Sequence, residues 1–353
     1  MITRLAVILI LLFIAVPSST LADEWMQAYS SAKLKHEKQR FSRRINELYI
    51  KGIEPFLSAE QKRTFAKVQF EFPLRGVHAK DPSEFYSYRR GNRAFVVLPV
   101  LSLIFLEDLA TAYAWLWANN YRLETIDEYI TMLKYKSPKD FPGGRYPNPL
   151  QALQIPKNAL KNRQVDDLSL RFRNTAYAFI LLHELGHVLY QHRGYQDTPH
   201  AQSRQDELDA DHFAFDVLRE TATIPMGAIL YFQAQAYFMP NKGQLIAEGR
   251  IKSERDWQTY LNQHMTHPLT SKRLEAMALH MSTTGRHLAS SSERETLQYI
   301  ASRLISISDI LQDSDLQACM AVVAARANPA ILAPRRSRDK TKGLFEQSCQ
   351  KRP

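Results

Sequence analysis

The chain has 353 residues, of which 45% are hydrophobic, 23% charged and 10% aromatic. That composition excludes disorder throughout, a collagen-like repeat and a disulfide-dense miniprotein. Its 46 basic and 36 acidic residues give a formal charge of +10, which favours anionic partners such as lipid head groups. The basic residues are spread along the chain without a nucleic-acid-binding signature, so no nucleic acid partner is expected. Neither GxGxxG nor GxxxxGK[ST] occurs, which excludes the usual glycine-rich phosphate-binding loops.

Residues 1–22 read as a secretory signal. Arg4 is followed by an unbroken apolar run from Leu5 to Val16, then Pro17 and a small, polar exit ending at Ala22. The apolar run is too short to span a bilayer, which takes about 20 residues. Cleavage near Ala22 is expected, with an uncleaved anchor as the alternative, and places the protein outside the cytoplasm, periplasmic or secreted. Removing Arg4 lowers the charge from +10 to +9.

Residues 23–150 read as an N-terminal α/β part. A charged helix over Asp23–Lys51 comes first. Thr64–Leu74 alternates as a strand does, and Phe85–Tyr88 and Arg93–Pro99 predict two more strands around a turn at Gly91-Asn92. Ala94–Leu106 predicts a buried strand running into a buried helix rather than a membrane span. That helix places Leu103, Leu106, Ala110, Tyr113 and Trp117 on one face, and a second helix is expected over Thr125–Tyr135. Residues 137–149 hold four prolines and two glycines and read as a loop, either linker or flap. Residues 151–285 then read as a helical core, and 286–353 as a helical extension with a basic tail. Cys319 and Cys349, the only two cysteines, are expected to pair in an oxidising compartment and to contribute about 3–4 kcal/mol.

The chemistry concentrates in His183-Glu184-Leu185-Gly186-His187. Imidazoles four residues apart on one helical face can grip a single zinc ion, with the intervening glutamate near the open coordination position. Ile180–Leu182 before the motif and Val188-Leu189 after it are apolar. The helix is therefore buried, and an unpaired carboxylate within it would cost roughly several kcal/mol. The plain alternative is an amphipathic helix with surface His and Glu. Asp166 or Asp167 is expected to cap this helix, and Arg193-Gly194 to end it. Gly186 lies on the metal side and admits a close neighbour.

Zinc needs a third protein ligand and leaves its fourth place to water. Nineteen residues separate His187 from Glu207-Leu208-Asp209-Ala210-Asp211. Glu207 and Asp211 share a helical face with Ala210 and Ala214, whose small side chains permit close packing. Glu207 is expected as the third ligand and Asp211 as the partner of a ligand imidazole's N–H; Asp206 and Asp209 are the rivals. His192, His200, His212 and His264 lack a partner at ligand spacing and read as surface or packing residues.

HELGH followed by ExxAD resembles the gluzincin-type zinc metallopeptidases, with a compact, thermolysin-like ligand spacing. Thr266–Arg273 contains HPxxxxR and resembles the CAAX-prenyl-protease, HtpX and BepA-type peptidases, whose gap before the glutamate is usually longer. The resemblance covers about Asp167 to Met277. It implies an α+β, mostly helical fold in which a small N-terminal sheet packs on the HExxH helix of a zincin-like core. It also brings His267 and Arg273 to the active site, where they would share the charge of a tetrahedral intermediate.

The expected activity is zinc-dependent hydrolysis of peptide bonds in extracytoplasmic proteins or peptides. His183, His187 and Glu207 would hold one Zn2+ and Glu184 would act as general base. Ala94–Val97 is a candidate edge for an extended substrate. Two other classes are a catalytically weak, zinc-stabilised binding or chaperone-like protein of the cell envelope, and a protein whose main task is contact with an anionic membrane surface.

Overall fold

A computed structural model describes residues 28–349 apart from 77–83, 194–197, 222, 239–241, 248, 265–270, 285–289, 335 and 337–347. The signal-like segment and His267 lie outside the described residues. The fold is mostly helical α+β, as expected, with one three-stranded sheet.

Helix α1 (Ser31–Glu47) buries only Leu34, Phe41 and Ile45 and passes into a π-helical turn at Leu48–Ile53. Next comes α2 (Ala59–Phe65), whose last two residues fall in the strand expected over Thr64–Leu74. Ser58 and Gln61 form a reciprocal capping box there, Ser58 Oγ accepting from the Gln61 N–H and Gln61 Oε1 from the Ser58 N–H. Two satisfied backbone donors start a helix that side-chain alternation alone does not reveal. The strand is thereby shortened to β1 (Val68–Glu71).

β2 (Tyr86–Arg90) and β3 (Arg93–Val97) form an antiparallel hairpin turned at Gly91, whose φ of 60° suits glycine. The sheet order is β1-β3-β2, with β1 parallel to β3. β3 is thus the central strand, hydrogen-bonded on both sides, so the edge expected at Ala94–Val97 is not available; among the described residues the edge strands are β1 and β2, each paired with β3 alone.

α3 (Val100–Ala118) follows β3 directly. It is long and apolar enough to cross a membrane, yet 83% of its most apolar window is buried inside the protein. It is enclosed on nearly all sides, so the single apolar face in the sequence understates its burial; Trp117, assigned to that face, is 40% exposed. α4 (Glu124–Tyr135) comes next. The proline-glycine segment after it is anchored on α4: Tyr129 donates to the Pro147 carbonyl at 2.9 Å, Tyr146 to that of Lys136 at 2.8 Å, and Phe141 is buried against Tyr146.

After the single turn of α5 (Pro149–Ala152), the long helix α6 (Arg163–Leu189) crosses the whole core. Its cap is Asn162, whose Oδ1 accepts from the N–H groups of Gln164 and Val165 at 2.9 and 3.4 Å. The expected cap at Asp166 or Asp167 is therefore one turn too late; Asp166 sits in the first turn, where its charge suits the helix dipole. The helix also stops at Leu189, four residues before Arg193.

The remaining helices are α7 (His200–Glu220), α8 (Ala228–Phe238), α9 (Lys242–Ala247), α10 (Glu254–His264), α11 (Ser271–Thr284), α12 (Ser291–Gln312) and α13 (Ser314–Arg326). One hydrophobic cluster takes side chains from Tyr29 to Leu332. Within it α3, α7 and α8 pack around α6, and β2 and β3 also touch α6. Polar ties fix the register: Tyr177 donates to the Leu103 carbonyl at 2.9 Å, and Arg40, Arg44 and Arg173 converge on Glu107 at 2.6–3.0 Å. Cys319 and Cys349 are joined by a disulfide, closing a loop across the basic segment 335–342.

Candidate metal centre

Apart from His183, Glu184 and His187 the second half of α6 is largely apolar, and neighbouring elements bury it from Thr175 to Val188. His183 and Glu184 are 0% exposed and His187 is 7% exposed. The four-residue spacing puts both imidazoles on the face turned to α7. Gly186 lies between them and lets α7 come close: a Cβ there would stand 2.9 Å from the Ala210 Cα. Glu207 sits one turn before Ala210 and projects into the same space, also fully buried.

The three expected ligands converge. His183 Nε2 and His187 Nε2 are 3.1 Å apart, and the Glu207 carboxylate oxygens stand 3.5 Å from the first and 3.4 Å from the second. Donors bonded to one tetrahedral ion at about 2.1 Å are spaced by roughly 3.4 Å. The donor set therefore fits a single divalent metal, and one donor atom from each residue lies within 4.8 Å of the others.

A second layer surrounds the first. Asp211, one turn beyond Glu207, places Oδ1 2.9 Å from His183 Nδ1, the nitrogen turned away from the centre. Arg273, from α11, is 1% exposed. Its Nε and Nη2 donate to Asp211, the latter at 2.9 Å, and its Nη1 stands 2.6 Å from Glu207 Oε2. Its guanidinium also lies over the Phe232 ring at 5.4 Å. Of the rival acids, Asp206 faces His192 and accepts from Gln202, while Asp209 accepts from Gln205 on the outer side of α7.

Electrostatics point the same way. Glu184, Glu207 and Asp211 bring three buried carboxylates together and Arg273 brings one cation. With both imidazoles deprotonated, as a metal requires, the formal charge is −2, which a divalent ion would balance. Burial pulls the His183 imidazole down, but the carboxylates of Asp211 and Glu207 outweigh it and raise its pKa to about 9. His187 is held below its ordinary value by burial, against the opposing pull of Glu207. Burial would raise Asp211, yet Arg273 keeps it below the usual carboxylate range. Tyr231, on α8, is buried close enough to feel the charges of Arg273, Glu184, Glu207 and Asp211, and its phenol is held well above the ordinary range, chiefly by burial.

Sequence reading missed His192. Its side chain is 9% exposed, and its Nδ1 lies 2.8 Å from the Nδ1 of His187. The signal was a third histidine five residues after a ligand, but only the chain reversal at the end of α6 turns that spacing into contact.

A protein-family model described as Peptidase U49 matches residues 144–292, a stretch running from the proline-glycine segment to the start of α12 and containing every residue of this centre. No curated protein and no solved structure matches the chain. The chain is thus similar, over less than half its length, to a peptidase family, and this likeness supports a peptidase acting on proteins or peptides.

Proposed function

We propose that the protein is a zinc-dependent peptidase in which His183, His187 and Glu207 hold the ion and Glu184 is the general base. The observation that carries this reading is the buried, net-negative cluster whose three donors are spaced as one tetrahedral ion requires. Two imidazoles and one carboxylate suit zinc better than calcium or magnesium, which prefer all-oxygen sites. A zinc ion bound there supplies Lewis-acid polarisation of a carbonyl and brings a bound water's pKa to about 7.

The chain's own residues do the rest. Glu184, next to His183 on α6, accepts the proton of the attacking water and passes it to the leaving amine. Asp211 orients His183 through its outer nitrogen. Arg273 spends its donors on Asp211 and Glu207, and so acts here by positioning the carboxylates. The oxyanion role implied by the resemblance then falls to His267. An extended peptide pairs with the outer edge of β2, whose Arg89 ties it to the end of α6 by donating to the Val188 carbonyl at 2.6 Å.

We also place the protein outside the cytoplasm. The signal-like residues 1–22 and the Cys319–Cys349 disulfide both support export. A net charge of +9 after removal of that segment, with Lys35, Lys38 and Arg43 exposed on α1, supports peripheral contact with anionic lipid.

Glu184→Gln tests the mechanism: it should retain zinc while hydrolysis of casein or of a peptide library falls by at least 100-fold. Cleavage by that variant at the wild-type rate would remove Glu184 from the role of base.

A further inference from the structure

The end of α6 sets a third imidazole behind the two facing α7. The chain reverses at Gln191, whose φ is 56°. The Gln191 N–H donates to the Val188 carbonyl at 3.3 Å, and the His192 N–H to the His187 carbonyl at 3.0 Å. These are the two bonds of a Schellman closure, which lays the residue after the reversal against the residue five positions earlier. That contact is commonly apolar; here it joins His192 to His187, with ring centroids 5.0 Å apart and planes at 74°. Glycine or asparagine is the usual residue at such a left-handed position, so a glutamine there points to a reversal held by what it brings together.

The arrangement continues outward. His192 Nε2 stands 3.6 Å from Asp206 Oδ1, and Gln202 Nε2 donates to that same oxygen at 2.7 Å. Asp206 is 5% exposed.

We propose that His192 is the positioning residue of His187. It accepts the Nδ1 proton of His187, fixing the tautomer whose Nε2 lone pair is free for the metal, and Asp206 orients His192 from behind. The assignment follows from proton placement. Two Nδ1 atoms 2.8 Å apart share one proton. Placed on His187, it leaves His187 Nε2 bare toward Glu207 and puts the proton of His192 on Nε2, facing the Asp206 carboxylate. Each N–H then points away from the metal position. His183 obtains the same orientation from Asp211, so the two ligands are held by different partners, one anionic and one neutral. Asp206, a rival for the third ligand by sequence, thereby acquires a separate task. This inference rests on the metal-centre reading above.

The test is zinc affinity of the whole chain, measured by competition with a chromogenic chelator, beside thermal unfolding in EDTA. His192→Ala should weaken zinc binding by about 10–100-fold, and His192→Asn, whose Oδ1 can accept the same proton, should recover most of the loss. A folded His192→Ala that binds zinc as the wild type does would overturn the proposal, because a residue that only closes the helix changes melting in EDTA and leaves affinity alone. If His192→Ala does not fold, His192→Asn and His192→Leu decide: equal affinities overturn the proposal, and a tenfold or greater deficit in His192→Leu supports it. Zinc uptake that is lost in Glu207→Ala but unchanged in His192→Ala defeats this inference alone; a wild-type chain without zinc uptake defeats the metal-centre reading with it.

Discussion

Gly186→Ala should damage the metal centre more than it damages the fold. A Cβ at Gly186 would stand 2.9 Å from the Ala210 Cα and 3.3 Å from its Cβ and carbonyl oxygen, where ordinary contact begins at 3.4 Å. The neighbour is backbone, so relief requires α6 and α7 to part by about half an ångström. Overpacking of this kind costs about 1–3 kcal/mol, and replacing a helical glycine by alanine returns about 1 kcal/mol. The net loss of stability is therefore about 0–2 kcal/mol, or a few degrees in Tm. The site is less forgiving. Glu207 lies one turn from Ala210 on α7, whereas both imidazoles lie on α6, so the whole separation falls between ligands. Metal–ligand distances tolerate only about ±0.2 Å, and zinc affinity should drop by at least tenfold. Thermal unfolding in EDTA and chelator competition on the same sample separate the two effects. Wild-type affinity in Gly186→Ala would show instead that helix separation does not set the ligand geometry.

Other predictions concern charge and covalent closure. Arg273→Met leaves Glu207 and Asp211 without their buried cation and should cost about 3–5 kcal/mol in denaturant unfolding with EDTA, a loss that added zinc partly offsets. In the metal-free protein His183 has a pKa of about 9 against an ordinary 6.5, so it is charged at neutral pH. Zinc needs it neutral, and uptake at pH 7 should release about one proton from this residue, measurable by titration calorimetry in buffers of different ionisation enthalpy. The sign follows from the raised value: the metal-free stabilisation from protonated His183 is complete below pH 6.5 and is lost as pH rises through about 9, while zinc affinity climbs over the same window. Burial raises Asp108 to about 6, against the opposing hydrogen bond from Tyr29; folding is penalised as pH rises from 3.8 through that value, and Asp108→Asn should add about 3 kcal/mol above pH 6. Replacing Cys319 and Cys349 by serine should cost about 3–4 kcal/mol, seen as a lower denaturant midpoint.

Most of the centre was legible because its signals are local. The four-residue spacing of His183 and His187 fixes a face, the apolar neighbours of that face fix its burial, and the alanines beside Glu207 mark where a second helix approaches. The buried strand running into α3 was equally plain, since a thirteen-residue stretch, apolar but for Ser102 and broken by Pro99, fits a strand and a helix better than a span. Contacts made across the chain were not legible. A solvated arginine and Arg273 look identical in sequence, and only the packing of α11 against α7 seals the latter between two carboxylates. Sheet order also escapes local reading: nothing in Ala94–Val97 says that β1 returns to its far side and removes its free edge. His192 depends on one left-handed residue, Gln191, whose side chain does not announce it. The capping box at Ser58 and Gln61 was readable, but strand-like alternation beginning at Thr64 obscured it.

In the proposed centre α6 and α7 present two imidazoles and one carboxylate to a single zinc ion. Elemental analysis of the purified full chain, wild type beside Glu207→Ala, counts that ion. About one zinc per wild-type chain is expected and a small fraction of that in the variant, with both proteins folded by circular dichroism. A wild-type chain that carries no zinc after incubation with it, or a Glu207→Ala chain that holds as much as the wild type, would contradict that centre.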